Sequence, residues 1–366
     1  MARIGIGIVG GGYMGKAHSA AFAAVGTVFE TRLKPRLVAI AGSSPESGAR
    51  YAEAYGFERG ARDWRALVDD PEVEAVVIAS PQATHLEIAT AAFDAGKPVL
   101  CEKPMGLDAA EARAMLAAAE RAGVAHSVAY NYSRTPATQF ARALISRGEL
   151  GRVHHLRIEH TEDFHLTSIL PPWRSQGEAN GCLGDLAPHP INAALALGGP
   201  IAQVFAVIET VFPERNGVTV TNDDQVLLTL RFASGASGHL FASRVATGKK
   251  MGYAYEVTGE KGALRFDQED QNALWVCDGE APEERAGFTK VLTGPAHPDY
   301  QPFCLGPGHG TGYQDQIIIE AKDFLTAIDE GRAVWPTFAD GVEVHRVIAA
   351  ARASAATGGW ARVSDF

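Results

Sequence analysis

The sequence predicts an α/β domain followed by an α+β domain: a doubly wound parallel sheet, then a large, mainly antiparallel open sheet. Three observations lead there. Strand and helix patterns alternate through about residue 130, the arrangement that closes into a parallel sheet with helices on both faces. A glycine-rich turn, Gly10-Gly11-Gly12-Tyr13-Met14-Gly15, follows the first strand and opens the first helix. Beyond residue 150 strand patterns recur at short spacing with few helices between them, as in antiparallel sheets.

The chain has 366 residues, enough for two domains at roughly 100–200 residues each, drawn here as 1–130 and 131–366. Hydrophobic residues make up 46% and charged residues 21%, the balance of a globular protein with a sizeable core. The net charge of −10 argues against nucleic acid or an anionic membrane as partner, and no Lys/Arg run counters it. Cys101, Cys182, Cys277 and Cys304 form no CxxC pair, so reduced thiols in a cytoplasmic protein are expected. The chain starts directly on a strand pattern, so no secretory leader is expected. No apolar run approaches the roughly 20 residues of a membrane span.

In the first domain, Ile4, Ile6, Ile8 and Val9, interleaved with glycine, make a buried strand, and the Ala-rich stretch 16–24 is a helix. Strand, tight glycine turn and helix N-terminus together form the context of a dinucleotide-binding, Rossmann-type fold. Gly10 permits the turn, Gly12 lets the backbone approach a pyrophosphate, and Gly15 lets helix and strand pack closely. The helix N-terminus offers amide donors and a positive dipole to the phosphates. A second strand, 37–41, ends on Gly42-Ser43-Ser44-Pro45 rather than on the carboxylate that commonly binds the ribose of NAD. Ser43 and Ser44 suit ribose hydroxyls; with Arg50 nearby they equally suit a 2′-phosphate, so NAD and NADP both stay open. Helices over 46–55 and 63–68 lead to a third strand, 75–79. Ser80-Pro81 turns into a helix over 86–95. A strand over 98–101, a helix over 109–122 and a strand over 126–130 complete the alternation.

The strand at 98–101 runs straight into Glu102-Lys103-Pro104. Strand ends of this kind are where open α/β sheets hold ligands, which makes Lys103 the first candidate for chemistry.

The second domain opens with a helix over 137–147. An alternating strand over 153–165 sets Leu156, Ile158 and Phe164 against Arg157, Glu159 and Asp163. Further strands are expected at 204–211, 225–232, 236–243, 253–258, 263–266 and 274–276. Helices are expected near 186–197 and over 314–330 and 341–356. On strand parity, His154 and His160 share one face and His155 and His165 the other. No cysteine or dense carboxylate cluster joins them, so no metal site is expected. Val204, Phe205, Val207 and Ile208, like Val226, Leu227, Leu228 and Leu230, are apolar at both parities. Both faces of such strands call for cover, which points to a homo-oligomer, a tetramer or a dimer.

Four motifs carry a resemblance: Gly10–Gly15; Ser80-Pro81 with Thr84-His85; Ala95-Gly96-Lys97-Pro98 running through to Pro104; and Gly184-Asp185-Leu186-Ala187-Pro188-His189. Over its whole length the chain resembles the family of glucose–fructose oxidoreductase, inositol dehydrogenase and rhizopine-catabolism proteins. Tyr130-Asn131-Tyr132, Pro172-Trp173-Arg174 and the segment 306–313 look most like its inositol/L-glucose and levoglucosan dehydrogenase branch. The resemblance implies oxidation of a secondary hydroxyl of a cyclic polyol or pyranose sugar, with NAD. A sugar or glycoside 3-dehydrogenase holding its cofactor tightly, and a non-catalytic cofactor-sensing regulator, are the alternatives.

By the same resemblance Lys103, Asp185 and His189 form the catalytic set. Arg174 and His309 join them toward substrate. Cofactor contacts fall to Gly10, Gly12, Tyr13, Met14 and Gly15, to Ser43 and Ser44, to Ser80, Pro81 and His85, and to Glu102, Lys103 and Asn131. The chemistry agrees. An imidazole, with an ordinary pKa of about 6.5, suits removal of a hydroxyl proton, and residues four apart on one helix share a face. A nearby ammonium favours alkoxide character in the transition state. Pro188 and Pro190 flank His189, and Pro190 disturbs an ordinary helix interior. The family's common Asp three residues on is Asn192 here.

Overall fold

The computed structural model describes residues 2–167, 171–215 and 217–366. The chain forms two compact units. One comprises the residues up to Arg134 together with Gly312–Val342; the other comprises Thr135–Thr311 with Glu343–Phe366.

The first unit holds a six-stranded parallel sheet: β1 (Ala2–Val9), β2 (Leu33–Ala41), β3 (Arg59–Ala61), β4 (Ala75–Ile78), β5 (Val99–Glu102) and β6 (His126–Ala129). Their order is β3-β2-β1-β4-β5-β6, so the winding reverses between β1 and β4. That reversal is where doubly wound sheets open a crevice for ligands. Every residue of β4 and β5 is buried, as parallel strands with both faces covered must be. The connections are α1 (Tyr13–Val28), α2 (Pro45–Tyr55), α3 (Trp64–Asp69), α4 (His85–Asp94) and α5 (Ala109–Ala122). Their ends follow local rules. The Asp108 carboxylate accepts from the amides of Ala110 and Glu111 to start α5, and Gly123, at φ 65°, ends it. The edge strand β3 is three residues long, too short to show a period in the sequence.

The second unit contains α6 (Pro136–Ser146), β7 (Val153–Thr161), α7 (Phe164–Thr167), α8 (Cys182–Asp185), α9 (Pro188–Gly198), β8 (Ile201–Glu209), β9 (Glu214–Arg215) and β10 (Val218–Thr219). β11 (Gln225–Phe232), β12 (Ser237–Ser243), β13 (Gly252–Gly259), β14 (Gly262–Asp267), β15 (Ala273–Asp278), β16 (Thr289–Leu292) and β17 (Ala361–Arg362) follow. Nine strands make one sheet, β16-β15-β14-β13-β7-β12-β11-β8-β17. β7 and β12 pair in parallel and the other neighbours antiparallel. α6, α8 and α9 pack on the sheet. Val226, Leu228 and Leu230 are buried, whereas Leu227 on the opposite face is 46% exposed, beside Val207 and Phe241 in the register.

The strand expected over 153–165 stops at Thr161. Asp163 breaks it: its amide donates to the Lys249 carbonyl, and its carboxylate accepts from the Gly248 amide and the Lys250 ammonium. His165 and Phe164 therefore lie in α7, and His165 has no place on a strand face.

The last two helices are α10 (Tyr313–Glu330) and α11 (Phe338–Thr357). The sequence assigned both to 131–366, yet α10 belongs to the first unit. There the Gln314 side chain donates to the Ala17 carbonyl of α1, Phe324 meets Phe22 edge-on, and Gln316 accepts from the Asn131 amide. A helix packs where its apolar stripe finds a partner, and chain order does not decide that. Among the described residues no helix is long and apolar enough to cross a membrane.

Candidate active site

In the first unit, β1 delivers the glycine turn. Gly10 sits at φ 101°, where side chains are disfavoured, and its amide donates to the Ala41 carbonyl at 2.9 Å. A Cβ at Gly15 would run into the Gly10 carbonyl oxygen, so glycine there allows α1 to begin this close to β1. A Cβ at Gly12 would meet nothing within 4 Å: it faces open space, as the pyrophosphate approach requires. Among the described residues no side chain caps α1, and no acid lies in its first turn, which leaves that turn's amides and dipole suited to an anion. The turn fits a dinucleotide. Tyr13, next in line, is 73% exposed and stacks on Tyr313 at 6.2 Å, and the Tyr313 hydroxyl reaches the Met14 sulfur at 3.5 Å.

Two residues that the motif did not reveal hold this turn. The Tyr51 ring packs where a Gly11 Cβ would stand, and the Tyr55 hydroxyl donates to the Gly11 carbonyl at 3.0 Å. The signal was the spacing of Tyr51 and Tyr55, one helical turn apart and stacked at 5.6 Å. Ser44 caps α2, its hydroxyl accepting from the Ser47 amide, while Ser43 is exposed. Arg50 lies over the Tyr51 ring.

At the ends of β4 and β5 the expected residues take different roles. Ser80 shares a hydrogen bond with Thr84 at 2.7 Å, and Pro81 opens the turn into α4. His85 is buried between the Ser80 and Pro104 carbonyls, at 2.9 and 3.1 Å; burial holds its pKa below the usual 6.5 against the pull of those carbonyls and Glu102. Glu102 points inward. One carboxylate oxygen meets His18 Nε2 of α1 at 2.8 Å, and the other accepts from the Lys103 amide at 3.2 Å. Lys103 itself is partly exposed. Asn131 is buried, its amide donating to Gln316. Glu320 of α10 is 1% exposed, and neither carboxyl oxygen has a hydrogen-bond partner among the described residues. Burial first, then the Glu102 charge, push its pKa well above the usual 4.5.

In the second unit Asp185 and His189 do not share one helix. Asp185 ends α8, and His189 lies in the first turn of α9 behind a break at Leu186-Ala187. The physical reason is the pair of prolines. Pro188 and Pro190 fall in a first turn, where missing amides leave no intrahelical bond unmade. Arg174 joins Asp185, its guanidinium donating to the carboxylate at 3.3 Å. His189 is buried and its ring meets that of His160 edge-on, centroids 5.6 Å apart. Asn192 is buried one turn further on.

The scaffold under this group is the run Asn222-Asp223-Asp224, legible in the sequence as no more than a polar turn. Asp223 accepts from the Leu183 amide at the start of α8. The fully buried Asp224 accepts from Arg215, Arg244 and the amides of Val211 and Phe212. Arg244, 1% exposed, donates to the Arg174 and Asn180 carbonyls, and Asn222 donates to the Arg174 and Gly177 carbonyls. The backbone that carries Arg174 is thus pinned from two sides.

His309 is exposed, its Nδ1 3.0 Å from Cys304 Sγ. Among the described residues no group of three or more His, Cys, Asp or Glu side chains could hold a metal ion.

The fold and glycine turn define a dinucleotide-binding protein. Residues 4–130 match the oxidoreductase family's NAD-binding Rossmann-fold domain, and residues 138–265 match the GFO/IDH/MocA C-terminal domain. The chain belongs to the GFO/IDH/MocA family. It is 38% identical over the full length of both chains to levoglucosan dehydrogenase of Pseudarthrobacter phenanthrenivorans, and 27% identical, over 92% of each, to inositol 2-dehydrogenase of Rhizobium meliloti. Among solved structures, levoglucosan dehydrogenase in complex with NADH and levoglucosan superposes with a TM-score of 0.95 at 39% identity, covering 98% of this chain and 99% of that one. An inositol dehydrogenase homologue from Azotobacter vinelandii, complexed with NADH and myo-inositol, reaches 0.85 at 25% identity, covering 99% and 98%. The chain is an NAD-dependent dehydrogenase acting on CH–OH groups.

Proposed function

We propose that the substrate is an anhydrosugar of the levoglucosan type, with cyclitols next, and that one ring CH–OH becomes a ketone. The full-length match to levoglucosan dehydrogenase carries this choice, and the Arg174–Asp185 pair supports it, since a guanidinium and a carboxylate side by side offer donors and acceptors to neighbouring hydroxyls. Bound NAD supplies the hydride acceptor. His189 takes the hydroxyl proton, Lys103 stabilises the oxygen as it gains negative character, and Asp185 with Arg174 orients the substrate. His309 adds a polyol contact from its loop.

The chain assembles with copies of itself through the open face of the nine-stranded sheet, as a tetramer. The exposed Leu227 and Val207 beside Phe241 support this. Four free cysteines fit a cytoplasmic enzyme. The test is a panel of anhydrosugars, inositols and aldoses with NAD and with NADP, followed by reduced-cofactor absorbance. Turnover of levoglucosan with NAD is the expected result. Absence of turnover on every anhydrosugar and cyclitol refutes the proposal.

A further inference from the structure

His160 stood out in the sequence as one of four clustered histidines, and neither a metal site nor the proposed chemistry uses it. Its side chain is 3% exposed. Nδ1 lies 3.1 Å from the Leu186 carbonyl oxygen, within the break between α8 and α9. Nε2 lies 3.0 Å from the Glu162 carboxylate. Both partners are acceptors, so making both bonds takes a proton on each ring nitrogen. The ring stands edge-on to His189 of α9 and, at 5.8 Å, to Tyr253 of β13. Glu162 is a firm base: its amide donates to the Ser243 carbonyl and its carbonyl accepts from the Ala246 amide.

These contacts form one chain of support. The end of β12 fixes Glu162, Glu162 fixes His160, and His160 holds both the carbonyl of the break and the ring of His189. Two short helices joined by a two-residue break have no common hydrogen-bond ladder, so their relative placement needs a brace from outside. We infer that His160, with Glu162, is a positioning residue for His189: it fixes the break that sets where the imidazole stands. The inference rests on the reading of His189 as proton acceptor.

The test compares His160→Phe, His160→Gln and Glu162→Gln in the full-length protein. Phenylalanine keeps a ring against His189 and loses both donors; glutamine keeps one donor group; Glu162→Gln keeps an acceptor without its charge. For His160→Phe, kcat falls about tenfold to a hundredfold, the scale of a misplaced catalytic group, with KM and the NADH dissociation constant within about twofold. His160→Gln and Glu162→Gln fall between it and wild type. Wild-type kcat in His160→Phe overturns the inference, as does a loss of kcat matched by an equal loss of NADH affinity. A separate readout needs no turnover: nitrogen NMR of histidine rings in isotope-labelled protein. The His189 signals move in His160→Phe; unchanged signals overturn the inference. If the wild-type chain oxidises no polyol, the reading of His189 fails on its own, and the NMR result alone decides whether His160 positions the ring.

Discussion

Replacing Asp224 by asparagine tests the scaffold beneath the second unit's candidate residues. One carboxylate oxygen accepts from Arg215 at 2.8 Å and Arg244 at 3.1 Å; the other accepts from the Val211 and Phe212 amides, each at 2.9 Å. All four partners are donors. An amide offers one accepting oxygen and one donating NH2, so in either orientation two donors face a donor. With the NH2 toward the arginines, the buried Arg244 cation loses its counter-charge. Breaking a buried pair by removing one partner costs about 3–5 kcal/mol. In a unit of roughly 200 residues, each kcal/mol moves Tm by about 2–4 °C, so Asp224→Asn lowers the transition of that unit by about 6–20 °C. Differential scanning calorimetry of the full chain reads it, with the surface change Asp278→Asn as control. A drop within about 2 °C of the control would mean that the network adds little, and that the backbone at Arg174 is held by something else.

Lys103→Ala should lower kcat by about a hundred- to a thousandfold, the scale of losing one electrostatic stabiliser, while fluorescence titration finds NADH binding within about twofold; near wild-type turnover would remove Lys103 from the chemistry. Gly15→Ala places a methyl against the Gly10 carbonyl, so calorimetric titration should detect no NADH binding, and intact affinity would refute the packing argument. Glu320→Gln should stabilise the protein at neutral pH. The wild-type carboxyl has a folded pKa raised well above 4.5, so its contribution is present below the unfolded pKa and is lost as pH rises toward the folded value. The gain in Tm should therefore grow on going from about pH 4 to about pH 8, and a gain independent of pH would show that the side chain is not held neutral. NAD should bind more tightly than NADP in calorimetric titration, because Ser44 is engaged as a helix cap and Arg50 lies over Tyr51; tighter NADPH binding would make Arg50 the phosphate ligand.

The glycine turn could be read in full. Gly10, Gly12 and Gly15 each act over a few neighbouring residues, so their order in the chain already states their geometry. The helix starts at Ser44 and Asp108 were equally local. Asp185 and His189 were singled out by motif; the helix expected near 186–197 begins at Pro188, which leaves Asp185 outside it, because two prolines fit a helix's first turn and not its interior. His165 was misplaced for a related reason: Asp163 ends β7 through partners at Gly248 and Lys250, some 85 residues away.

What the sequence alone determined was the order of α1 to α5 and of every strand in the first unit's sheet except β3, together with the dinucleotide turn and the candidates Lys103, Asp185, His189 and Arg174. These depend on periodicity and on short motifs, which interactions within a turn or two of chain encode. The tertiary structure decided that Glu102 faces His18, that Glu320 is buried without a hydrogen-bond partner among the described residues, that α10 packs with the first unit, and that Asp224 and Arg244 hold the backbone of Arg174. Those pairings join residues 20 to 302 positions apart. A polar side chain in such a pair looks like any surface residue until folding removes the water around it, and only then does its partner determine its charge and its place.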